Sequence, residues 1–272
     1  MRWIYRVSHS PRIVLAPLVL WLLTMISLPI VGWVWGQDAL TRGMSVGVVI
    51  QAGAVMIILY SAWGWKRTFQ TVLVVALLTY LAELLGSKTG FPFGRYHYTE
   101  LLQPQLLGVP LLIPLAWLMM LPPSWAIAAI LLDQAREVRT NPATGAESLW
   151  FVLKFSLVSA LAITAWDLFL DPQMVAWGFW VWEQPGLYFG IPLSNYFGWI
   201  LTAFVVTLVV HPARLPVGLL SLVYILTWFL QTIGQGIFWG QPGPALFGFL
   251  ACGLFVFLAW RSQGRKENQI SE

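Results

Sequence analysis

Long apolar runs dominate this sequence, and each is about as long as a helix that crosses a bilayer. Since roughly 20 mostly apolar residues span the hydrocarbon core, we predict eight spans. Their approximate bounds are 13–35, 44–64, 68–86, 106–132, 150–170, 195–212, 215–233 and 243–260. Charged residues are only 10% of the 272 residues, against roughly 25% in a soluble domain. The sequence therefore predicts one polytopic membrane domain over residues 1–272, folded as an all-α bundle.

The fourth run leaves the number of spans open, because four prolines predict a kink or a break near Leu121. A break would give nine spans. The basic residues favour eight, since with eight spans and a cytoplasmic N-terminus most of the 15 Lys and Arg lie on the cytoplasmic side. These are Arg2, Arg6, Arg12, Lys66, Arg67, Arg136, Arg139, Arg214, Arg261, Arg265 and Lys266. The outer loops hold Arg42, Lys88 and Arg95. We therefore predict that both termini are cytoplasmic.

Two segments, residues 83–108 and 167–194, have the same layout. Each starts with an acidic residue near the end of an apolar run, continues through an aromatic loop and ends in or beside a Gly-Ile/Val-Pro-Leu motif. A tryptophan follows the glycine of the motif by nine residues in both, at Trp117 and Trp199. We interpret this as an internal parallel repeat, of spans 3–4 and spans 5–6, whose paired loops form one site.

Three carboxyl groups are the candidate catalytic residues: Glu83, Asp167 and Asp171. Acidic residues in apolar spans are costly and usually face a cavity or the bundle interior. Asp167 and Asp171 are one helical turn apart and share a face, and Pro172 predicts that the helix ends at Asp171. Burial favours the protonated carboxyl, so we expect one of them, Asp167 above all, to donate a proton. The alternative roles are structural: Glu83 would pair with a loop cation, and Asp171 would only end its helix.

Aromatic side chains crowd both loops, where they could wall a transient cation, because aromatic faces attract cations. An interfacial aromatic belt is the alternative interpretation. His97 could also carry a proton. The candidate substrate-binding residues are Tyr80, Arg95, Tyr96, His97, Trp166, Trp177, Trp180, Asn195 and Tyr196.

The sequence predicts no metal and no cofactor. Its single cysteine, Cys252, and its three histidines do not have a metal-ligand spacing, and a nucleotide-binding glycine motif is not evident. The Asp167–Asp171 spacing also occurs in intramembrane prenyltransferases that bind magnesium diphosphate, but a second Asp-rich motif is missing. The basic residues are scattered, so we predict no nucleic-acid partner. A magnesium-dependent prenyltransferase and a proton-coupled transporter remain open.

Three motifs, GFPFGRYHYT, WDLFLDPQMVAWGFWVW and YFGIPLSNYFGW, resemble those of the CruF-type membrane carotenoid hydratases. That family includes bacterial carotenoid 1′,2′-hydratases and haloarchaeal bisanhydrobacterioruberin hydratases. The resemblance covers about residues 70–235. It implies a hydro-lyase in a bacterial or archaeal cell membrane that adds water across the terminal 1,2 (1′,2′) double bond of an acyclic carotenoid, giving a tertiary alcohol. The substrate would lie in the bilayer, and association with other carotenoid biosynthesis enzymes is a further expectation. A related intramembrane carotenoid cyclase, which would use the same acid and aromatic residues without water, is an alternative.

Overall fold

The chain folds into a helical bundle, seen in a computed structural model that describes residues 12–132 and 145–271. Seven helices in this part of the chain are long and apolar enough to cross a membrane. They are α1 (Arg12–Trp35), α2 (Gln37–Thr89), α3 (Leu112–Leu131), α4 (Gly145–Ala176), α5 (Leu193–Val210), α6 (Val217–Ile233) and α7 (Pro242–Ser271). A short π-helix (Gly234–Phe238) extends α6. The predicted all-α membrane fold is confirmed.

Helix α2 contains two of the predicted spans. Its 53 residues would measure about 80 Å at 1.5 Å per residue, far more than the roughly 30 Å hydrocarbon core. Gly64 divides it, with a φ of 74° and a ψ of 176° that no helix contains and that glycine adopts without steric penalty. Lys66 and Arg67 follow at once, as expected of a turn at the membrane surface. The described helices therefore provide eight crossings.

Helix α3 is one helix and does not break near Leu121. It runs through Pro122 and Pro123, so the fourth crossing remains single. It begins at Leu112, later than predicted, because the residues before it form a small hairpin of β2 (Gln105–Leu106) and β3 (Val109–Pro110).

Helix α4 continues past Asp171 and Pro172 to Ala176, so the predicted helix end at Asp171 is wrong. Proline lacks an N–H and leaves the carbonyl four residues earlier without its helical partner. That carbonyl belongs to Leu168, and the Tyr188 hydroxyl donates a hydrogen bond to it at 3.0 Å. A side chain from the following loop thus satisfies the carbonyl that the proline frees.

The two aromatic loops contact each other directly. Strand β1 (Tyr96–Tyr98) of the first loop pairs antiparallel with β4 (Trp180–Trp182) of the second, and Tyr96 lies opposite Trp182. Both strands are three residues long. This pairing fixes the register of the two loops over the ends of α2 and α4.

The repeated segments share local structure as well as sequence. In both, the residue before the motif glycine and the glycine itself have positive φ: 53° and 89° at Leu107–Gly108, and 47° and 87° at Phe189–Gly190. Two successive residues with positive φ form a tight type I′ hairpin turn, which favours glycine. The two tryptophans that follow, Trp117 and Trp199, stack with ring centroids 4.0 Å apart. The two segments therefore share the same turn, and their tryptophans lie against each other.

Two hydrogen bonds show which connections lie together at the opposite end of the bundle. Trp63, beside the Gly64 turn, donates its indole N–H to the Arg214 carbonyl at 3.1 Å. Ser262 of α7 donates to the Ile130 carbonyl at 3.2 Å. These connections are on the side predicted to be cytoplasmic. Several basic residues behind that prediction, Arg2, Arg6, Arg136 and Arg139, lie outside the described residues.

We expect reporter fusions after residue 263 and inside the loop at residues 183–187 to report opposite sides of the membrane, the first of them cytoplasmic. Basic residues favour the cytoplasmic side, and an even number of crossings returns the chain to the side where it began. Alkaline phosphatase and fluorescent-protein fusions would measure this. The same side for both fusions would contradict the eight-crossing topology.

Candidate active site

Glu83, near the end of α2, is buried and accepts hydrogen bonds from both loop tyrosines. Its Oε2 accepts from the Tyr96 hydroxyl at 2.6 Å and from the Tyr98 hydroxyl at 2.7 Å. Its Oε1 accepts from the Trp117 indole at 3.2 Å. Alternate residues of a strand point to the same face, so β1 presents both tyrosines to one carboxyl group. Three neutral donors therefore hold Glu83 in place.

The alternative ion-pair partners of Glu83 lie elsewhere. Lys88 and Arg95 are both exposed, and in the part of the chain that the structure describes neither forms a salt bridge with Glu83. The side chain is held from inside the bundle and not from the membrane surface. This arrangement argues against the alternative in which Glu83 pairs with a loop cation.

The two tyrosines that contact Glu83 remain hydroxyl donors over a wide pH range. Burial raises the pKa of Tyr96 and of Tyr98 well above the usual value, and the nearby Glu83 charge raises both further. A phenol with a raised pKa does not ionise near neutral pH. Their hydroxyl groups can therefore stabilise negative charge on Glu83.

Asn195, at the start of α5, bridges the two aspartates of α4. Its amide nitrogen donates to Asp167 Oδ2 at 2.9 Å and makes a shorter contact with Asp171 Oδ2. The Trp180 indole donates to the other oxygen of Asp171 at 2.7 Å. Asp167 Oδ1 is buried with no partner among the described residues. Both carboxyls are almost fully buried, and their partners are neutral.

A small cavity of about 30 Å³ lies between Glu83 and Asp171. It has room for water, since one molecule needs roughly 10–15 Å³. Its other lining residues are Phe93, Tyr96, Tyr98, Ile113, Ala116, Trp117, Leu170, Trp180, Trp182, Asn195 and Trp199. Asp167 does not line it. One carboxyl from each repeated segment thus faces the same space.

Aromatic rings form much of the wall of this small cavity. Tyr96 lies 5.0 Å from Trp182 and 5.4 Å from Tyr98, and Tyr98 lies 5.8 Å from Trp180, all between ring centroids. The stacked tryptophans of α3 and α5 complete the wall. Such rings attract a cation held against their faces, so the cavity combines carboxyl groups, space for water and surfaces suited to positive charge.

The ring of Phe93 lies where two helices approach each other closely. An added Cβ at Gly86 of α2 would be 2.6 Å from this ring, and one at Gly198 of α5 would be 2.4 Å from it. Real Cβ atoms do not come so close. Phe93 therefore closes its side of the small cavity only because both helices carry glycine there.

A second cavity, here called the chamber, adjoins the small cavity and has a volume of about 530 Å³. The two share four lining residues: Ile113, Ala116, Leu170 and Trp180. Side chains from α1, α2, α3, α4, α6 and the π-helix enclose the chamber, and most are apolar. A volume of roughly 300–1,000 Å³ is typical of ligand pockets. A ligand in the chamber would therefore lie next to the small cavity that contains the carboxyl groups.

Several predicted substrate-binding residues lie at these cavities. Tyr96, Trp180 and Asn195 line the small cavity, and Trp166 lines the chamber. Tyr196 lies behind them, its ring 5.4 Å from Tyr188, and its buried hydroxyl has no partner among the described residues.

The other four predicted substrate-binding residues line neither cavity. Tyr80 donates its hydroxyl to the Leu106 carbonyl at 2.8 Å and so holds the β2–β3 hairpin. Arg95 and His97 are exposed, and His97 points away from its neighbours in β1 by strand alternation. Trp177 packs against Trp239, with ring centroids 5.3 Å apart.

The structure adds residues to the predicted substrate-binding set, two of them from the loop aromatics described above as a group. Tyr98, Trp117, Trp182 and Trp199 all line the small cavity. The repeat already singled out the two stacked tryptophans, and strand alternation would have placed Tyr98 beside Tyr96. No comparable sequence signal marks the α1 residues that line the chamber. They are as apolar as residues that face lipid.

Fold and site together define an integral membrane protein with buried carboxyl groups at the end of an apolar chamber. A family model for carotenoid biosynthesis proteins matches residues 43–255, and the chain belongs to this family. It is 33% identical over 145 residues to the bisanhydrobacterioruberin hydratase of Haloarcula japonica. That match covers 53% of this chain and 44% of the relative, so the chain spans less than half the relative's length. No solved structure matches. The resemblance seen in the three motifs is confirmed.

Proposed function

We propose that this protein adds water to the terminal double bond of an acyclic carotenoid by acid catalysis and so forms a tertiary alcohol. The observation that carries the proposal is the small cavity, where carboxyl groups and aromatic rings surround space for water at the end of the chamber. The similarity to the haloarchaeal bisanhydrobacterioruberin hydratase supports a hydration reaction. The long apolar chain of the substrate would extend through the chamber towards the bilayer.

Asp171 is the proton donor in this proposal. Two buried carboxyl groups so close together do not readily both ionise, and among the described residues neither aspartate has a basic partner. The sequence alone suggested Asp167 as the donor. We favour Asp171 because Asp171 lines the small cavity and Asp167 does not. Asp167 would instead act through Asn195, which contacts both carboxyl groups.

The proton of Asp171 adds to C2 of the terminal double bond. The two π electrons form the new C–H bond and leave a tertiary cation at C1, which the aromatic wall and the Glu83 carboxylate stabilise. Water in the small cavity then forms the C–O bond at C1, and its proton passes to Glu83. Return of a proton from Glu83 to Asp171 restores the starting state, so the net change is one water added.

The related cyclisation would use the same acid and aromatic rings without water. The space for water between Glu83 and Asp171 favours hydration. A prenyltransferase would hold diphosphate through a metal. Within the described ranges, however, no three His, Cys, Asp or Glu side chains are placed to hold one. A proton-coupled transporter would leave its substrate chemically unchanged.

We expect pigments from a lycopene-producing host that expresses this chain to gain the mass of one water per reacted end. Mass spectrometry of extracted pigments measures it, and membranes treated with EDTA should keep the activity. An unchanged mass with altered absorption would indicate cyclisation, and unaltered pigment would contradict enzymatic action on this substrate. Loss of activity with EDTA, restored by magnesium, would favour the prenyltransferase.

A further inference from the structure

The indole N–H of Trp182, the last residue of β4, is a buried donor that the proposed mechanism does not use. Trp182 lines the small cavity and is only 6% exposed. Its Nε1 has no hydrogen-bond partner among the described residues. The other indoles that contact the carboxyl groups do have acceptors: Trp117 donates to Glu83. Trp180 donates to Asp171. Buried N–H groups are nearly always paired, with protein or with water.

The Trp182 ring is oriented with its N–H away from the first loop. Trp180 and Trp182 are buried and alternate with the exposed Val181, so both rings lie on the inner face of β4. A Cβ added at Gly94 would be 3.3 Å from Cζ3 of Trp182, and Gly94 does not line the small cavity. The nitrogen is attached across the ring from Cζ3. The N–H is therefore on the edge opposite Gly94, where it is available to the cavity.

The Tyr96 ring brings Trp182 close to Glu83. Its centroid is 5.0 Å from that of Trp182, and its hydroxyl donates to Glu83 at 2.6 Å. A carboxylate accepts about four hydrogen bonds, and the described residues supply three donors to the Glu83 carboxyl group. One acceptor position remains for a proton of water. A water molecule in the small cavity could therefore accept from the indole and donate to the carboxylate.

We infer that the Trp182 N–H positions the water that attacks the C1 cation. This inference rests on the proposed function and adds a positioning residue to it. The indole donates to one lone pair of the water oxygen and Glu83 accepts one of its protons, so that the second lone pair faces C1. Without the N–H the water is less well ordered, and the cation more often loses a proton from C2 or from a C1 methyl group. The electrons of that C–H bond then form a double bond, the proton passes to a carboxylate, and the pigment remains unhydrated.

This competing route can be measured in D₂O. A deuteron from Asp171 adds to C2, and pigment that afterwards loses a proton keeps the deuterium without gaining water. Membranes containing the full chain are incubated with lycopene, and mass spectrometry gives the ratio of deuterated, unhydrated pigment to hydrated product. We expect Trp182→Phe to raise this ratio about fivefold, the factor for one neutral hydrogen bond. An unchanged ratio would overturn the inference and leave the hydratase function standing. No hydration of lycopene by the wild type would overturn the proposed function itself.

Trp228→Phe is the matched control. It also removes an indole N–H, which donates to the Phe249 carbonyl at 3.0 Å, but Trp228 lines neither cavity. Its ratio should equal that of the wild type, and an equal rise in both variants would overturn the assignment to Trp182. If Trp182→Phe does not accumulate in the membrane, benzothienylalanine at position 182 replaces the N–H by sulfur and keeps the shape of the ring. A raised ratio with that residue would support the inference, and a wild-type ratio would overturn it.

Discussion

Asp171→Asn is expected to lower the rate of carotenoid hydration by about 10²–10⁴-fold, the usual loss when a general acid is removed. The asparagine has a similar shape and stays between Trp180 and Asn195, but it has no proton to donate. Pigment conversion per amount of membrane-inserted protein measures the effect. Immunodetection of the variant in the membrane separates loss of chemistry from loss of folding.

Two further variants test whether the loss of activity is specific to Asp171. Asp167→Asn should cost less than Asp171→Asn, because Asp167 does not line the small cavity and acts through Asn195. Glu183→Gln, in the exposed part of the second loop, should behave as the wild type. Near-normal conversion in Asp171→Asn, with strong loss in Asp167→Asn, would show that the donor is Asp167 and that the cavity geometry was misinterpreted.

Glu83→Gln is expected to reduce conversion by a similar factor of about 10²–10⁴ and also to loosen the loops. The amide cannot take up the proton of the attacking water. Its NH₂ group would also compete with the two tyrosine hydroxyls and the Trp117 indole, which are all donors. Conversion assays combined with thermal unfolding in detergent would measure both effects.

Tyr98→Phe separates these two contributions. It removes one donor to Glu83 but keeps the carboxyl group, so stability should fall by about 1.5–3 kcal/mol, the range for a hydrogen bond to a charged group. The loss of activity should be much smaller than in Glu83→Gln. If Glu83→Gln converted pigment normally, Glu83 would be only a structural anchor for β1.

The eight crossings and the three buried carboxyl groups could be predicted from the sequence, because both follow from the cost of polar groups in lipid. The continuation of α4 past Asp171 could not be predicted. Pro172 disfavours a helix locally, but the Tyr188 hydroxyl satisfies the carbonyl that the proline frees. That contact depends on how the second loop folds back onto α4. A local sequence pattern does not predict this.

The difference between Asp167 and Asp171 was also hidden from the sequence. Helical spacing places both carboxyl groups on one face, yet only Asp171 lines the small cavity. Asn195 on a neighbouring helix contacts both carboxyl groups, whereas Trp180 of the second loop donates only to Asp171. In the same way, apolar residues of α1 that line the chamber cannot be told apart by composition from those that face lipid.

The pairing of β1 with β4 has a consequence for the order in which the protein is made. Strand β1, with Tyr96 and Tyr98, is synthesised soon after Glu83. Its partner strand β4 is synthesised only after α3 and α4. Asn195, which bridges the aspartates, comes later still. The donors to Glu83 are all in the first half of the chain, whereas the donors to the aspartates of α4 come after them in the chain. Neither half of the chain alone therefore contains all the residues of the proposed site. The proposed site is therefore complete only after the second loop has paired with the first.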